Sequence, residues 1–414
     1  MTATAGRPSS TGTGSGNGSA RAFPSVDHRR FPLWKNVSTG EWMDWKWQAR
    51  NIIRDLDDLR KVFTFTDEEG DALRPTIEQY HLSITPYYAS LIDPGDPEDP
   101  IRRQAVPLPE ESLCHVHEMQ DPLAEEKTSP VPGLTHRYPD RVLLVTTNFC
   151  YMYCRHCTRK RIWKQDEAAT SKENIDRMVA YIRRHPEIRD ALVSGGDPLT
   201  LPPDRLEYIL SSLRSIDHLE IIRVGSRVPV VMPMAITDEL VAILGKYGPV
   251  WLNTQFNHPR EVTSAAAAAA DRLLRAGIPV NNQSVLLRGV NDSPATIIAL
   301  NQALLKAKIR PYYLFQCDPV IGTKHFRTRV ETGLGIMEAL RGHTSGLAIP
   351  SYVIDLPGGG GKVPITPDYL IRRTDEGLVL RNFEGRTFMY PETAPEGPST
   401  RPLPTGLKAS LAGR

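Results

Sequence analysis

The chain has 414 residues, 40% of them apolar, enough to bury one large core plus an accessory region, as one elaborated barrel or two domains. Fifty basic and 48 acidic residues leave a formal charge of +2, which implies no polyelectrolyte attraction to nucleic acid or to an anionic membrane and favours a small-molecule ligand. No apolar run approaches the roughly 18 to 20 residues of a membrane span, and the opening MTATAGRPSSTGTGSGNGSA lacks the apolar heart of a secretory signal.

Residues 1–30 read as a disordered tail. From 31 to 139, WMDWKWQARNIIRDLDDLRKVF predicts a helical N-terminal region that turns proline-rich at IDPGDPEDP. Trp42, Trp45 and Trp47 suggest a ligand-binding aromatic box, but aromatics on helices mostly pack against a neighbouring surface. SPVPGLTHRYP (129–139) reads as an extended linker closing this region.

Between 140 and 345 short β-rich runs alternate with amphipathic stretches. RVLLVTT, DALVSGG, LEIIRVGSR, VWLNTQFN, PVNNQSVLL and RPYYLFQCD give six strands, separated by helical patterns such as SKENIDRMVAYIRRHP, and such alternation predicts parallel β/α units. The alanines 265–270 read as an outer helix that Gly277 and Pro279 stop. A parallel barrel builds its active site at the carboxyl ends of its strands. Polar residues recur there: Ser194 to Asp197, Ser226 and Arg227, Asn253, Gln255 and Asn257, Asn281 to Ser284, and Gln316 to Asp318. Taken singly, each is an ordinary turn residue satisfying backbone groups.

Directly after the first of these strands, CYMYCRHC puts the thiols of Cys150, Cys154 and Cys157 on one loop. Three thiolates hold three irons of a [4Fe–4S] cluster and leave the fourth open to a non-protein ligand. A zinc site competes, with His156 the extra donor nearby, but zinc normally closes with four ligands in paired spacings. A redox pair of Cys154 and Cys157 leaves Cys150 without a role. Five cysteines, three of them clustered, make no disulfide framework, and free thiolates point to the reducing cytoplasm.

In SGGDP the paired glycines let the backbone approach a ligand closely, and Asp197 suits an ammonium. In DLPGGGGKVP, Gly358 to Gly361 precede Lys362. This is no phosphate-binding P-loop, because no Ser or Thr follows the lysine and Pro364 would interrupt the helix. A lysine on such a loop is ordinarily solvated, but it can also form a Schiff base, which makes Lys362 a candidate anchor for pyridoxal phosphate.

The spacing CxxxCxxC resembles the signature of the radical S-adenosylmethionine (SAM) enzymes. Together with HRYPDRVL, SGGDPL, GSRVPVV, LNTQFNHP, NNQSVLLRGVND, PYYLFQCD, HFRT, LRGHTSG and DLPGGGGK, it makes residues 31–390 resemble the lysine 2,3-aminomutase family. The resemblance implies an α/β fold: a partial (β/α)6-type TIM barrel of the radical SAM type over 140–345. An N-terminal helical region precedes it and a C-terminal extension follows, with the lysine loop in 346–390 and a second disordered tail in 391–414. It further implies a [4Fe–4S] cluster, SAM and pyridoxal phosphate, used together to move an α-amino group to the β-carbon.

Residue roles follow from the same resemblance. Gly195, Gly196 and Asp197 would meet the methionine amino group of SAM. Lys362 would carry pyridoxal phosphate, with Arg137, Arg141 and Gln283 near its phosphate. Arg159, in CTRKR, would clamp the substrate carboxylate with its guanidinium fork, unless it belongs to a solvated basic run with Arg155, Lys160 and Arg161. Asp318 and Asp355 would bind the distal cation of a basic amino acid, paired carboxylates being suited to a buried cation.

L-Lysine is the expected substrate. L-Arginine is the rival, because the same pair accepts a guanidinium and PVIGTKHFRT departs from the run expected beside Asp318. The product is a β-amino acid of the kind used in lysine catabolism or antibiotic biosynthesis. A radical SAM enzyme that modifies a protein lysine is the alternative of another class. A reductant such as flavodoxin or ferredoxin is expected. Several lysine enzymes bind an intersubunit zinc through a cysteine where this chain has Ser293, and the C-terminal tail has no cysteine, so a homo-oligomer without zinc is expected.

Overall fold

The computed structural model describes residues 23–164 and 167–392, so the two expected tails fall mainly outside the described residues. Residues 23–30 do not behave as tail. His28 is buried in the helical turn His28–Arg30, and its ring stacks on Trp42 at 4.1 Å between centroids. A single stacked ring leaves no periodicity for the sequence to reveal.

The N-terminal region is a set of short helices and one longer helix, Asp67–Gln79. That helix opens on a capping box in which Thr66 and Glu69 satisfy each other's free N–H groups. Trp42 is buried between Trp34 and Trp47, and Trp45 packs on the same core, so the tryptophans build a packing surface and no open box.

Nine strands form one sheet in sequence order: β1 (Leu134–Tyr138), β2 (Arg141–Val145), β3 (Asp190–Ser194), β4 (Ile221–Gly225), β5 (Val250–Thr254), β6 (Val280–Leu286), β7 (Arg310–Gln316), β8 (Ser351–Leu356) and β9 (Gly361–Pro364). β2 to β8 run parallel, while β1 and β9 flank them antiparallel. Two sequence boundaries are corrected by this. The stretch read as a linker contains β1, and β8 and β9, read as part of an extension, belong to the barrel sheet. β1 escaped notice among prolines and a glycine, which an edge strand paired on one side tolerates. β8 follows the helix Val330–Leu340, which buries Gly333, Ile336, Met337 and Leu340, and then the short turn Gly346–Ala348 that separates strand from helix.

The intervening helices cover the outside of the sheet. Lys172–Arg183 buries Ile175, Met178, Val179 and Ile182, and Pro203–Arg214 buries Leu206, Ile209, Leu210 and Leu213, the same i, i+3, i+4, i+7 stripe twice. Ser264–Arg275 buries four of the alanines, whose small side chains let it lie close, and Gly277 follows at φ +77°. The barrel almost closes: β1 and β9 share no ladder, but the Lys362 N–H donates to the Tyr138 hydroxyl at 2.8 Å. β10 (Leu370–Thr374), β11 (Gly377–Arg381) and β12 (Thr387–Pro391) form a separate antiparallel sheet. No helix among the described residues is long and apolar enough to cross a membrane.

Candidate active site

The cysteine loop leaves the carboxyl end of β2, and the loop after β3 lies along its backbone. Gly196 N–H donates to the Thr147 carbonyl at 2.6 Å and Asp197 N–H to that of Phe149 at 2.8 Å. A Cβ on Gly195, at φ +151°, would stand 2.3 Å from the Thr147 oxygen, and one on Gly196 2.3 Å from that of Phe149. Only glycines allow this approach. The Asp197 carboxylate accepts from Arg227 N–H at 2.7 Å and Leu199 N–H at 3.1 Å, which ties the ends of β3 and β4 together. Burial raises its pKa against those hydrogen bonds.

Cys150, Cys154 and Cys157 are all partly buried free thiols. Burial, and then the Cys154 thiol, pushes Cys157 up to about 11. Burial, followed by Asp197 and the other two thiols, pushes Cys150 well up. Three partly buried thiols on one loop make a site for a cationic group, and their soft donors suit iron. Among the described residues no three His, Cys, Asp or Glu side chains converge tightly enough to share one ion. Thiolates that each bind a separate iron of one cluster need no such convergence.

Arg227, which the sequence placed at the mouth without a role, donates to Cys154 Sγ at 2.9 Å. It is held there by Glu261 at 2.8 Å, Gln104 at 2.6 Å and the Gln255 carbonyl at 3.0 Å. At the end of β5, Asn253 Nδ2 and Thr254 Oγ1 are buried without a partner, unspent polarity that suits a polar ligand beside the cluster. Other strand-end residues are spent locally: Asn282 and Ser284 both bind the backbone of Phe256. His156 is buried against Gln255 and Asn257, and burial, reinforced by the Arg227 and Lys160 charges, holds its pKa well down.

The basic run after Cys154 divides. Arg155 and Lys160 are buried on Glu111 at 2.8 and 2.7 Å, so they are not solvated. Burial raises the Glu111 carboxyl, but Arg155 and Lys160 outweigh it and bring it to about 2. Arg159 turns to the mouth instead. Its Nε and Nη2 bind the Glu125 carboxylate at 2.9 and 2.6 Å, and its Nη1 donates to Ser194 Oγ at 3.2 Å and to the Gly195 carbonyl at 3.3 Å. Glu125, in DPLAEEK, carried no spacing that marked it in the sequence.

Asp318, just past β7, and Asp355, on β8, line one cavity of about 350 Å³ with Gln316, Arg327 and Glu331. Burial, then the Asp355 charge, raises Asp318 to about 7 in spite of Lys362, Arg137 and Arg327. Asp355 faces Lys362 across the ladder between β8 and β9, with Nζ 3.2 and 3.3 Å from its two oxygens and 5.4 Å above the Phe315 ring. Arg137 Nη1 stands 3.7 Å from Asp355 and Nη2 donates to the Leu123 carbonyl, while its Nε is buried without a partner.

Arg141 is more exposed and lies over the Tyr138 ring at 4.5 Å, paired with Asp140. Gln283 stands in β6 opposite Tyr313, a residue that feels the Arg141 charge. Of the divergent PVIGTKHFRT run, Pro319, Arg327 and Thr328 line the cavity. The Gly322 carbonyl accepts from Lys160, and Val320 bridges to Met119.

Comparison with known sequences gives these positions a context. The family described as Lysine-2,3-aminomutase matches residues 337–400, and the Radical SAM superfamily matches 144–300. The chain is 51% identical to the L-lysine 2,3-aminomutase of Clostridium subterminale over 365 residues, 88% of either chain. It is 51% identical to the L-lysine 2,3-aminomutase of Bacillus subtilis over 369 residues, 89% of this chain and 78% of the other. It is also 47% identical to the glutamate 2,3-aminomutase of Clostridioides difficile over 351 residues, 85% of this chain and 83% of the other. The superfamily brings a [4Fe–4S] cluster and SAM, which the three cysteines on one loop and the unspent polar groups at the carboxyl end of β5 fit. At such identity over such length, the chain belongs to the lysine 2,3-aminomutase family of radical SAM enzymes, and it is a 2,3-aminomutase, an isomerase.

Proposed function

We propose that the enzyme acts on L-lysine with the help of pyridoxal phosphate and makes β-lysine. The observation that carries this reading is the pair Asp318 and Asp355 lining one cavity beside Lys362. A third carboxylate there, as glutamate would bring, meets like charge in a buried site, whereas an ammonium neutralises it. The names of the lysine-specific relatives support the same substrate. Arginine is the rival reading, because Pro319, Arg327 and Thr328 of the divergent run line the same cavity, and the names of the lysine-specific relatives favour lysine over it.

Lys362 and the unpartnered Nε of Arg137 suit an aldehyde and a phosphate respectively, which is the donor set that pyridoxal phosphate asks for. When bound, it supplies a carbonyl for the amino group and a π-system that delocalises an unpaired electron. The protein's own part is positional. Asp318 and Asp355 hold the distal cation, Arg159 receives the carboxylate, and opposite charges at the two ends of the molecule allow one orientation. Arg227 keeps a fixed positive charge against Cys154. A small one-electron donor such as a flavodoxin or ferredoxin completes the system.

The test is an anaerobic assay of reconstituted, reduced enzyme with SAM and pyridoxal phosphate, offering L-lysine and L-arginine separately and identifying products by mass spectrometry. β-Lysine alone is expected. β-Arginine alone would transfer the assignment to arginine, and no product from either by a fully loaded enzyme would end the basic-substrate reading. Lys362→Ala should abolish the visible absorbance of lysine-bound pyridoxal phosphate while leaving the iron content unchanged.

A further inference from the structure

Residues 119–129 form a strap of turns that reaches the segment after β7, the glycine loop, β1 and Arg159. It is pinned at one end where Met119 exchanges backbone hydrogen bonds with Pro319 and Ile321, and at the other where His136 N–H donates to the Thr128 carbonyl at 2.9 Å. Between these points the Pro122 carbonyl accepts from Gly358 in the glycine loop, and the Leu123 carbonyl accepts from Arg137.

Its one buried charge is Glu125, 5% exposed. The carboxylate binds Arg159 through Nε and Nη2 and also accepts from Arg161 at 2.8 Å. Burial raises the Glu125 carboxyl, but Arg159 and then Arg161 overcome it and hold it at about 2. It is therefore an ionised, anchored partner at any working pH.

We propose that Glu125 is a positioning residue: it occupies the Nε–Nη2 edge of Arg159 and so fixes the Nη1 end at the mouth, beside Ser194 Oγ and the Gly195 carbonyl to which Nη1 donates, where the carboxylate of the amino acid is received. The inference rests on the reading of Arg159 as the carboxylate clamp. A long arginine loses rotamer freedom whenever it binds, and a partner that orders it beforehand removes that cost from substrate binding. Competition for the guanidinium is the contrary role. It would require a mobile carboxylate, whereas Glu125 is buried, doubly bonded to arginines and carried on a strap fixed at both ends.

A carboxylate clamp acts on substrate and transition state alike, so its loosening is read in KM and not in kcat. Glu125→Gln keeps the shape and removes the charge. It should raise KM for the amino acid about tenfold and leave kcat within about threefold, the scale of one charge-assisted hydrogen bond. Glu125→Asp should recover part of the loss, and Glu125→Gln combined with Arg159→Met should be no worse than Arg159→Met alone, since the two residues act through one group.

If Arg159→Met raises KM but Glu125→Gln leaves it unchanged or lowers it, the positioning role is wrong and the clamp stands. If Arg159→Met leaves KM unchanged, the clamp reading fails and this inference goes with it. A fall in kcat and melting temperature at constant KM in Glu125→Gln would mark a merely structural contact and overturn the proposal. Should Glu125→Ala not fold, the near-isosteric glutamine variant still decides.

Discussion

Asp318 ionises near neutrality because it is buried beside a second carboxylate, and on the proposal that it holds the substrate's distal cation, substrate binding takes a pH dependence of definite sign. A bound cation favours the ionised form, so binding releases a proton from Asp318 below pH 7 and none above it. For the basic substrate, kcat/KM should climb by up to about tenfold per pH unit toward pH 7 and then level off. Asp318→Asn should flatten that limb and lower kcat/KM throughout. Stability runs the other way. The native pKa lies above the usual carboxylate value, so the native state holds the extra proton and stability falls as pH rises through that window toward 7. Asp318→Asn should therefore melt higher than the parent at pH 8, measured calorimetrically. At this scale the cysteines and Lys362 were legible because their residue types and spacing carry chemistry of their own. Glu125 and Arg227 were not, because their meaning comes from partners 34 and 73 positions away.

Elements differ in how plainly they declare themselves. The parallel strands from β2 to β7 sit between amphipathic helices whose apolar stripes repeat, so each unit advertises the next. β1 and β9 lack that frame, and β8 is set apart from its helix, Val330–Leu340, by the turn Gly346–Ala348, so all three read as linker and extension in the sequence although they carry Arg137, Asp355 and Lys362. The glycine pair was legible as a close approach to something. That the something includes the backbone of residues 147–149 needed the fold. Gly196→Ala places a methyl 2.3 Å from the Phe149 carbonyl oxygen and must push away the segment leading to Cys150. The expected result is a lower iron content per chain after reconstitution. For the fraction that still loads, activity should fall on the order of a hundredfold, the usual consequence of a misplacement near 1 Å.

For the whole molecule, composition bounded the chain as one core plus an accessory region, but not how the two are joined. The join is one continuous apolar core and, within it, a buried ion cluster. Glu111 from the N-terminal region meets Arg155 and Lys160 of the cysteine loop, and Arg155 also reaches the His81 carbonyl at 3.0 Å. In the sequence those basic residues looked like a solvated run, since nothing local shows that a carboxylate 44 residues earlier covers them. Glu111→Ala leaves two buried cations unpaired and should cost about 3 to 5 kcal/mol in denaturant unfolding. The native Glu111 pKa lies below the usual carboxylate value, so its contribution is present above that value and is lost as pH falls toward 2.

One consequence concerns the gap between β1 and β9. Every other neighbouring pair of strands in that sheet is laced by a ladder, but between β1 and β9 the one hydrogen bond is that of the Tyr138 phenol with the backbone of Lys362, the proposed cofactor anchor. A hydrogen bond of that kind contributes about 0.5 to 1.5 kcal/mol, far less than opening any ladder. The seam resembles a cuff with one button, backed by the Arg137–Asp355 ion pair and by the strap that binds Arg137 and Gly358, and the button sits on the proposed anchor lysine. On that proposal, loading and release would need this button undone but no strand unpaired. Tyr138→Phe should keep the melting temperature within a few degrees while pyridoxal phosphate leaves several-fold faster on dilution, followed by its absorbance. An unchanged release rate would mean that the cofactor comes and goes by another door.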